Sequence, residues 1–153
     1  MAIDAVTFLN RERHQVDLVL IGPDDDGRAV TPHTFYYGPQ PRDVVLGALS
    51  SAVCLVNMSE SFGIVLLESW LSGRPAIALR KCMAFADPGC LGENGFCAES
   101  PSEIAVAIEC YLAHPDLAQQ HGAHGKAIAQ AYSRGALAER IESALLDAAF
   151  YTN

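Results

Sequence analysis

Apolar positions run along this chain in two rhythms, short unbroken runs and helically spaced stripes, and the two alternate. Residues 2–14 set Ile3, Val6, Phe8 and Leu9 among polar neighbours and close on Arg11, Glu12 and Arg13. That spacing predicts a short amphipathic helix with cations near its carboxyl end. Val16 to Gly22 (VDLVLIG) is an apolar run closed by glycine and predicts a buried strand. A polar, breaker-rich loop over 23–32 follows, then a second strand at His33 to Gly38. Pro41 opens a helix carried by Val44, Val45, Leu46 and Leu49. Ala52 to Asn57 is a third buried strand, and the next helix runs to Gly73. RPAIAL is the fourth strand, with Pro75 at its entry, where a missing N–H is tolerated. GFCAE is a short fifth. Ser100-Pro101-Ser102-Glu103 carries a cap, a proline at the first helical position and a glutamate three residues on, so a helix starts there and ends at His114-Pro115. The rest, to about Phe150, reads as alanine-rich helix broken near Gly122, Gly125 and Ser133. No repeat and no linker is visible.

Strands alternating with helices predict an α/β fold, a Rossmann-like doubly wound parallel sheet of about five strands. Ligands of such sheets bind at the carboxyl ends of the strands, here the loops after Gly22, Gly38, Asn57 and Leu79. The 153 residues fit one domain, 1–153, at about 150 residues per domain. Composition narrows the function. Apolar residues make up 50% and charged residues 18%, which excludes a disordered chain. Eighteen acids against ten bases give a charge of −8, a poor match to nucleic acid or an anionic membrane. No apolar run approaches the ~20 residues of a membrane span, and MAIDAVTFLNRER lacks the pattern of a signal peptide. Five cysteines, none in C-x-x-C spacing, argue against a disulfide framework or a zinc site and for a reducing, cytoplasmic setting.

The chemistry concentrates in Ser59 to Glu68, between a buried strand and a helix. The N–H groups of Phe62 to Val65 would be the unpaired donors of a helix start, where the dipole favours a bound diphosphate. Gly63 lets a ligand approach the backbone. Glu68 lies one turn beyond Ile64 and leans back toward that start, so its carboxylate suits a ribose diol. Glu60 sits at the junction, placed for sugar hydroxyls. Other groups take plainer readings. Asp24-Asp25-Asp26 is read as a solvated acidic loop rather than a D-x-D metal site. His121 and His124, three apart, have no third ligand in view. Arg80 and Lys81 follow a strand's carboxyl end, a place from which they could grip a diphosphate, and are exposed cations by default. Cys54 and Cys97 read as small apolar groups in strands. No G-x-S-x-G, Walker A or dinucleotide G-x-G-x-x-G occurs.

Two glutamates eight apart mean little alone, but their surroundings mean more. S-E-S-F-G-I-V-L-L-E-S-W-L-S-G-R-P-A-I-A (Ser59 to Ala78) resembles the S-E-G-F-G-x-x-x-x-E-A-x-x-x-G-x-P-V-I-A segment of retaining GT-B glycosyltransferases of the group 1 type, the E-x₇-E motif. Gly92 to Cys97 is similar to the family's D-G-x-N-G-x-L, and the resemblance extends through Phe35 to Asp43 and the helix from Pro101. It implies the C-terminal, donor-binding half of such an enzyme, which moves a sugar from a nucleoside diphosphate sugar, with retention and no obligatory metal or other cofactor. By position, Glu68 matches the donor-ribose glutamate and Glu60 the one at the donor sugar, the catalytic assignment. Ser61, Phe62, Gly63, Ile64 and Val65 match the loop and helix start that meet sugar and diphosphate. Gln40 matches a main-chain contact to the nucleobase. The family's basic G-R-x-x-x-x-K-G motif has no counterpart here, Val56-Asn57 stands for Pro-Ser, and Arg80 to Phe85 replaces a glycine-rich loop.

The resemblance therefore implies a partner, either an N-terminal acceptor domain or another chain, and no turnover by this half alone. It also implies that the family's first strand, between the equivalents of 16–22 and 52–57, is not supplied here. Those two strands would then pair directly, or another chain, for example in a homo-oligomer, would fill the gap. Two rival readings share the architecture: a non-catalytic assembly module, and another enzyme such as a sugar-nucleotide epimerase.

Overall fold

The computed structural model of the chain describes residues 1–12, 14–23, 31–60, 63–82 and 93–150. In chain order these form α1 (Ala2–Leu9), β1 (Leu18–Leu20), β2 (Thr34–Tyr36), α2 (Arg42–Ser51), β3 (Leu55–Asn57), α3 (Ile64–Leu71), β4 (Ala76–Ala78), β5 (Gly95–Cys97), α4 (Pro101–Ala113), α5 (Pro115–Gln130) and α6 (Arg134–Phe150). All strand pairing is parallel, as the alternating pattern requires.

β4 shows why the sheet is covered on both faces. Successive strand side chains point to opposite sides. Ile77 packs with Ala5 and Leu9 of α1 and with Ile104, Ile108 and Tyr111 of α4. Its neighbours Ala76 and Ala78 pack on the other face, with Leu66 and Trp70 of α3 and Ala129 of α5. All three strand residues are fully buried, the expected state of a central strand in a doubly wound sheet.

The expected five strands form two sheets rather than one. β1 pairs with β2, in register Leu18↔Thr34, and β3, β4 and β5 pair in that order. β1 and β3 do not pair, so direct pairing of these two strands is not how the chain resolves the gap. Each keeps one edge without a strand partner among the described residues. Helix α1 joins the pair to the rest: its apolar stripe of Ala5, Val6 and Leu9 is buried, and two of these lie in the core built on Ile77. Helix burial thus holds β1 in place where a hydrogen-bond ladder does not.

Two boundaries have local causes. α1 ends at Leu9 rather than near residue 14 because the next side chain competes for backbone. Asn10 Oδ1 accepts from the N–H groups of Gln15 (2.8 Å) and Val16 (3.2 Å), while its Nδ2 donates to the Val16 carbonyl (2.7 Å). α4 begins as its sequence predicts. Ser100 Oγ accepts from Glu103 N–H at 3.2 Å, Glu103 reaches back to Glu99 N–H at 2.8 Å, and Pro101 takes the first position.

The expected break at Gly122 and Gly125 does not occur. α5 runs unbroken through both, and the chain interrupts only at 131–133, at the predicted Ser133. The glycines serve packing, since α3 lies so close that a Cβ at Gly122 would meet the Gly73 carbonyl oxygen at 2.1 Å and one at Gly125 the Trp70 ring at 2.3 Å. Trp70, fully buried, donates its indole N–H to the Asn94 carbonyl at 3.2 Å. Beside it, buried His121 of α5 bonds through Nδ1 to the Tyr111 hydroxyl of α4 at 3.0 Å and stacks edge-on to Phe96. Burial, and then the charge of His124, push the His121 pKa down, and burial pushes the Tyr111 hydroxyl up.

Candidate functional site

The carboxyl ends of β2, β3 and β4 lead into the residues that the sequence singles out. After β2 the chain turns at Gly38, whose φ of 63° suits glycine. The loop after β1 is tied to it: Gly22 N–H donates to the Gly38 carbonyl at 3.0 Å, and the Tyr36 hydroxyl donates to the Gly22 carbonyl. Gln40 is exposed and donates through Nε2 to the Tyr37 carbonyl at 2.6 Å. Its side chain thus braces the turn.

After β3, Asn57 is buried, and its Oδ1 accepts from Ser59 N–H at 3.3 Å. Its Nδ2 has no hydrogen-bond partner, one of three such buried side-chain atoms among the described residues. A buried donor left unpaired is costly and calls for an acceptor. Glu60 is exposed in the bend that follows. Ser61 and Phe62 lie outside the described residues. Gly63 is the N-cap of α3, and among the described residues no side chain caps that helix. The N–H groups of Ile64 and Val65 therefore head it as unpaired donors with the positive end of the dipole. Ile64 itself is exposed, so the helix start faces solvent.

Glu68 projects one turn later and is only 9% exposed. Its Oε1 accepts from Arg42 Nε at 3.1 Å. Arg42, the first residue of α2, brings the Gln40 turn against the start of α3. The structure thus draws Gln40, Arg42, Glu68 and the α3 amino end toward one place. Arg42 escaped the sequence reading, although it lies within the quoted Phe35 to Asp43 stretch. An arginine two residues after Gln40 was the available signal.

The secondary candidates stand on other elements. Arg80 and Lys81 are at the carboxyl end of β4, as expected, and Arg80 Nε stands 3.7 Å from Glu99 Oε1. His121 is committed to Tyr111, and His124 Nε2 faces Glu93 Oε2 at 3.2 Å, so the two histidines share no ligand position. Asp24, Asp25 and Asp26 lie outside the described residues. Burial pushes the Cys54 thiol up to about 12 and raises Cys97 as well, Arg80 partly opposing; both fit the reading as apolar groups. Among the described residues no helix is long and apolar enough to cross a membrane.

Parallel strands covered by helices on both faces, with a helix start and a buried glutamate at their carboxyl ends, define an α/β domain of the doubly wound type. The family follows: the model of the glycosyl transferases group 1 matches residues 1–114, and the chain belongs to that family. No curated protein matches the sequence. Solved GT-B glycosyltransferases share the fold. Anabaena HepE in complex with UDP and glucose superimposes with a TM-score of 0.76 at 19% identity, covering 94% of this chain and 43% of that one. The HepE complex with UDP-glucose gives 0.75 at 19%, covering 95% and 44%. Sucrose-phosphate synthase from Thermosynechococcus elongatus gives 0.72 at 20%, covering 99% and 43%. The chain thus spans less than half the length of these structures.

Proposed function

We propose that this chain is the donor-binding half of a retaining GT-B glycosyltransferase, which moves a sugar from a nucleoside diphosphate sugar to an acceptor held elsewhere. One observation carries the reading. Glu68, buried one turn into α3, is held by Arg42 beside the Gln40 turn and an uncapped helix start. In this scheme Glu68 accepts from the ribose diol and the Gln40 main chain meets the base. The backbone of Ser61 to Val65 takes the diphosphate, and Glu60 faces the donor sugar as the catalytic carboxylate. Fixed N–H dipoles at a helix start stabilise the charge that develops on a departing diphosphate. The unpaired Asn57 Nδ2 supports the reading as a further donor at the same strand end. Because the HepE structures hold UDP with glucose or UDP-glucose, uridine diphosphate is the first nucleotide to try. An acceptor domain or partner chain completes the enzyme. Free thiols at Cys54, Cys97 and Cys110 support a cytoplasmic setting.

A second reading, a non-catalytic assembly module, draws on the strand edges of β1 and β3 that no other strand covers among the described residues. Calorimetric titration of the chain with UDP, GDP and ADP separates the two. The donor-site reading expects saturable binding of one nucleotide below millimolar concentration, UDP first. Self-association without binding of any of the three at millimolar nucleotide favours the assembly module.

A further inference from the structure

The amino ends of β1 and β2 lie at the other end of the strands from the donor site. Because β1 and β2 pair in register Leu18↔Thr34, the residues just before them, Asp17 and His33, become neighbours. Leu18 N–H donates to the His33 carbonyl at 2.8 Å, which fixes that adjacency through backbone. His14 comes in from the turn that Asn10 organises. Its Nε2 lies 2.8 Å from Asp17 Oδ1, and His33 Nδ1 lies 3.3 Å from the same oxygen. The two imidazole rings stack at 4.2 Å, only 14° from parallel. All three ligand atoms fall within 4.8 Å of one another.

The backbone at His33 adds a second observation. Thr34 N–H donates to the Thr31 carbonyl at 3.1 Å, closing a turn over residues 31–34, and the Thr31 and Thr34 hydroxyls bond at 2.9 Å. Proline fixes φ near −65° at the second position, and His33 follows with φ of 65°. That is a type II turn, whose third position belongs to glycine. His33 is the sole non-glycine residue with positive φ among the described residues. A histidine there costs about 1 kcal/mol of backbone strain relative to glycine. The strained turn carries an imidazole to a carboxylate that already faces another imidazole.

We propose that His14 Nε2, Asp17 Oδ1 and His33 Nδ1 form a binding site for zinc or a similar divalent transition ion. Two imidazoles and one carboxylate are a borderline donor set, which selects such ions over Mg²⁺ and Ca²⁺. Zinc bonds of about 2.0–2.2 Å in a tetrahedron set ligand atoms roughly 3.3 Å apart. The His33 contact with Asp17 already has that spacing, the His14 contact needs to open by about half an ångström, and one of the stacked rings must turn so that both nitrogen lone pairs meet at the ion. His14 and Asp17 are exposed and His33 half-buried, so an ion reaches the site from solvent and a water completes the coordination. Bound there, the ion pins the amino ends of β1 and β2 together, remote from Glu68 and the start of α3.

The test titrates the whole chain with Zn²⁺, and with Co²⁺ as a spectroscopic probe, alongside His33→Gly and His14→Ala. His33→Gly suits the turn, so it keeps the fold while it removes a ligand. One equivalent of Zn²⁺ is expected for the parent chain, with affinity at least about tenfold lower in each variant. Zinc is expected to raise Tm in the parent and not in His33→Gly, and Mg²⁺ is expected to do neither. Co²⁺ is expected to give the weak visible bands of nitrogen and oxygen ligation. A thiolate-to-cobalt charge-transfer band would assign the metal to cysteines and overturn the proposal. So would unchanged zinc affinity in His33→Gly, or no zinc binding by the parent chain.

Discussion

Gly122→Ala is expected to destabilise the protein by about 2–3 kcal/mol, the cost of forcing extra volume into a packed interface. The new Cβ would sit 2.1 Å from the Gly73 carbonyl oxygen and 2.7 Å from its carbon. The obstacle is backbone at the end of α3, so no side-chain rotation relieves it. α3 and α5 must separate, and the core around Trp70 and Ala129 opens with them. Gly47→Ala is the matched control. Gly47 lies inside α2 with nothing within 4 Å of its would-be Cβ, and removing a helical glycine there gains up to about 1 kcal/mol. Urea unfolding reads both, as midpoints that move in opposite directions. Because α3 also carries Glu68, the Gly122 variant is expected to bind nucleotide less well even where it stays folded.

Glu68→Ala is expected to lower the affinity for nucleoside diphosphate about tenfold to a hundredfold, the loss of hydrogen bonds to a charged acceptor. The fold should tolerate it. Arg42, the partner left behind, has its side chain 73% exposed, so its charge returns to water at little cost. Arg42→Ala leaves the carboxylate in place but removes its anchor, so a smaller loss is expected. Calorimetry gives the affinities, and unfolding midpoints near that of the parent chain show that the effect lies in the site. A Glu68→Ala chain that binds as tightly as the parent would remove the ribose assignment.

What could be read from the sequence was what local chemistry encodes. The Ser100–Glu103 cap is a contact between neighbours in sequence, and it stands where it was expected. The alternation of apolar runs and stripes gave every strand its place, although each ladder spans only three residues. Glu68 was legible because its motif places it one turn past an uncapped helix start. The failures share a different cause. The glycines of α5 suggested a break because the reason for them, the Gly73 carbonyl and the Trp70 ring, lies in another helix. The division of the sheet depends on which strands meet, and no local signal in β1 or β3 records it. Arg42 reads as an ordinary exposed cation until Glu68 is placed beside it. His14, Asp17 and His33 are brought together only by the parallel register of two strands whose intervening loop separates them in sequence.

The central claim is that nucleotide binds at the amino end of α3, between Glu68 and the Gln40 turn. The most direct measurement is amide chemical-shift mapping by NMR while UDP is titrated into the isotope-labelled chain. The account predicts that the shifted amides cluster at Gln40, Gly63, Ile64, Val65 and Glu68. It predicts no shifts at His14, Asp17 and His33 at the far end of the strands. Shifts centred away from the α3 start, or none at millimolar nucleotide, would contradict it.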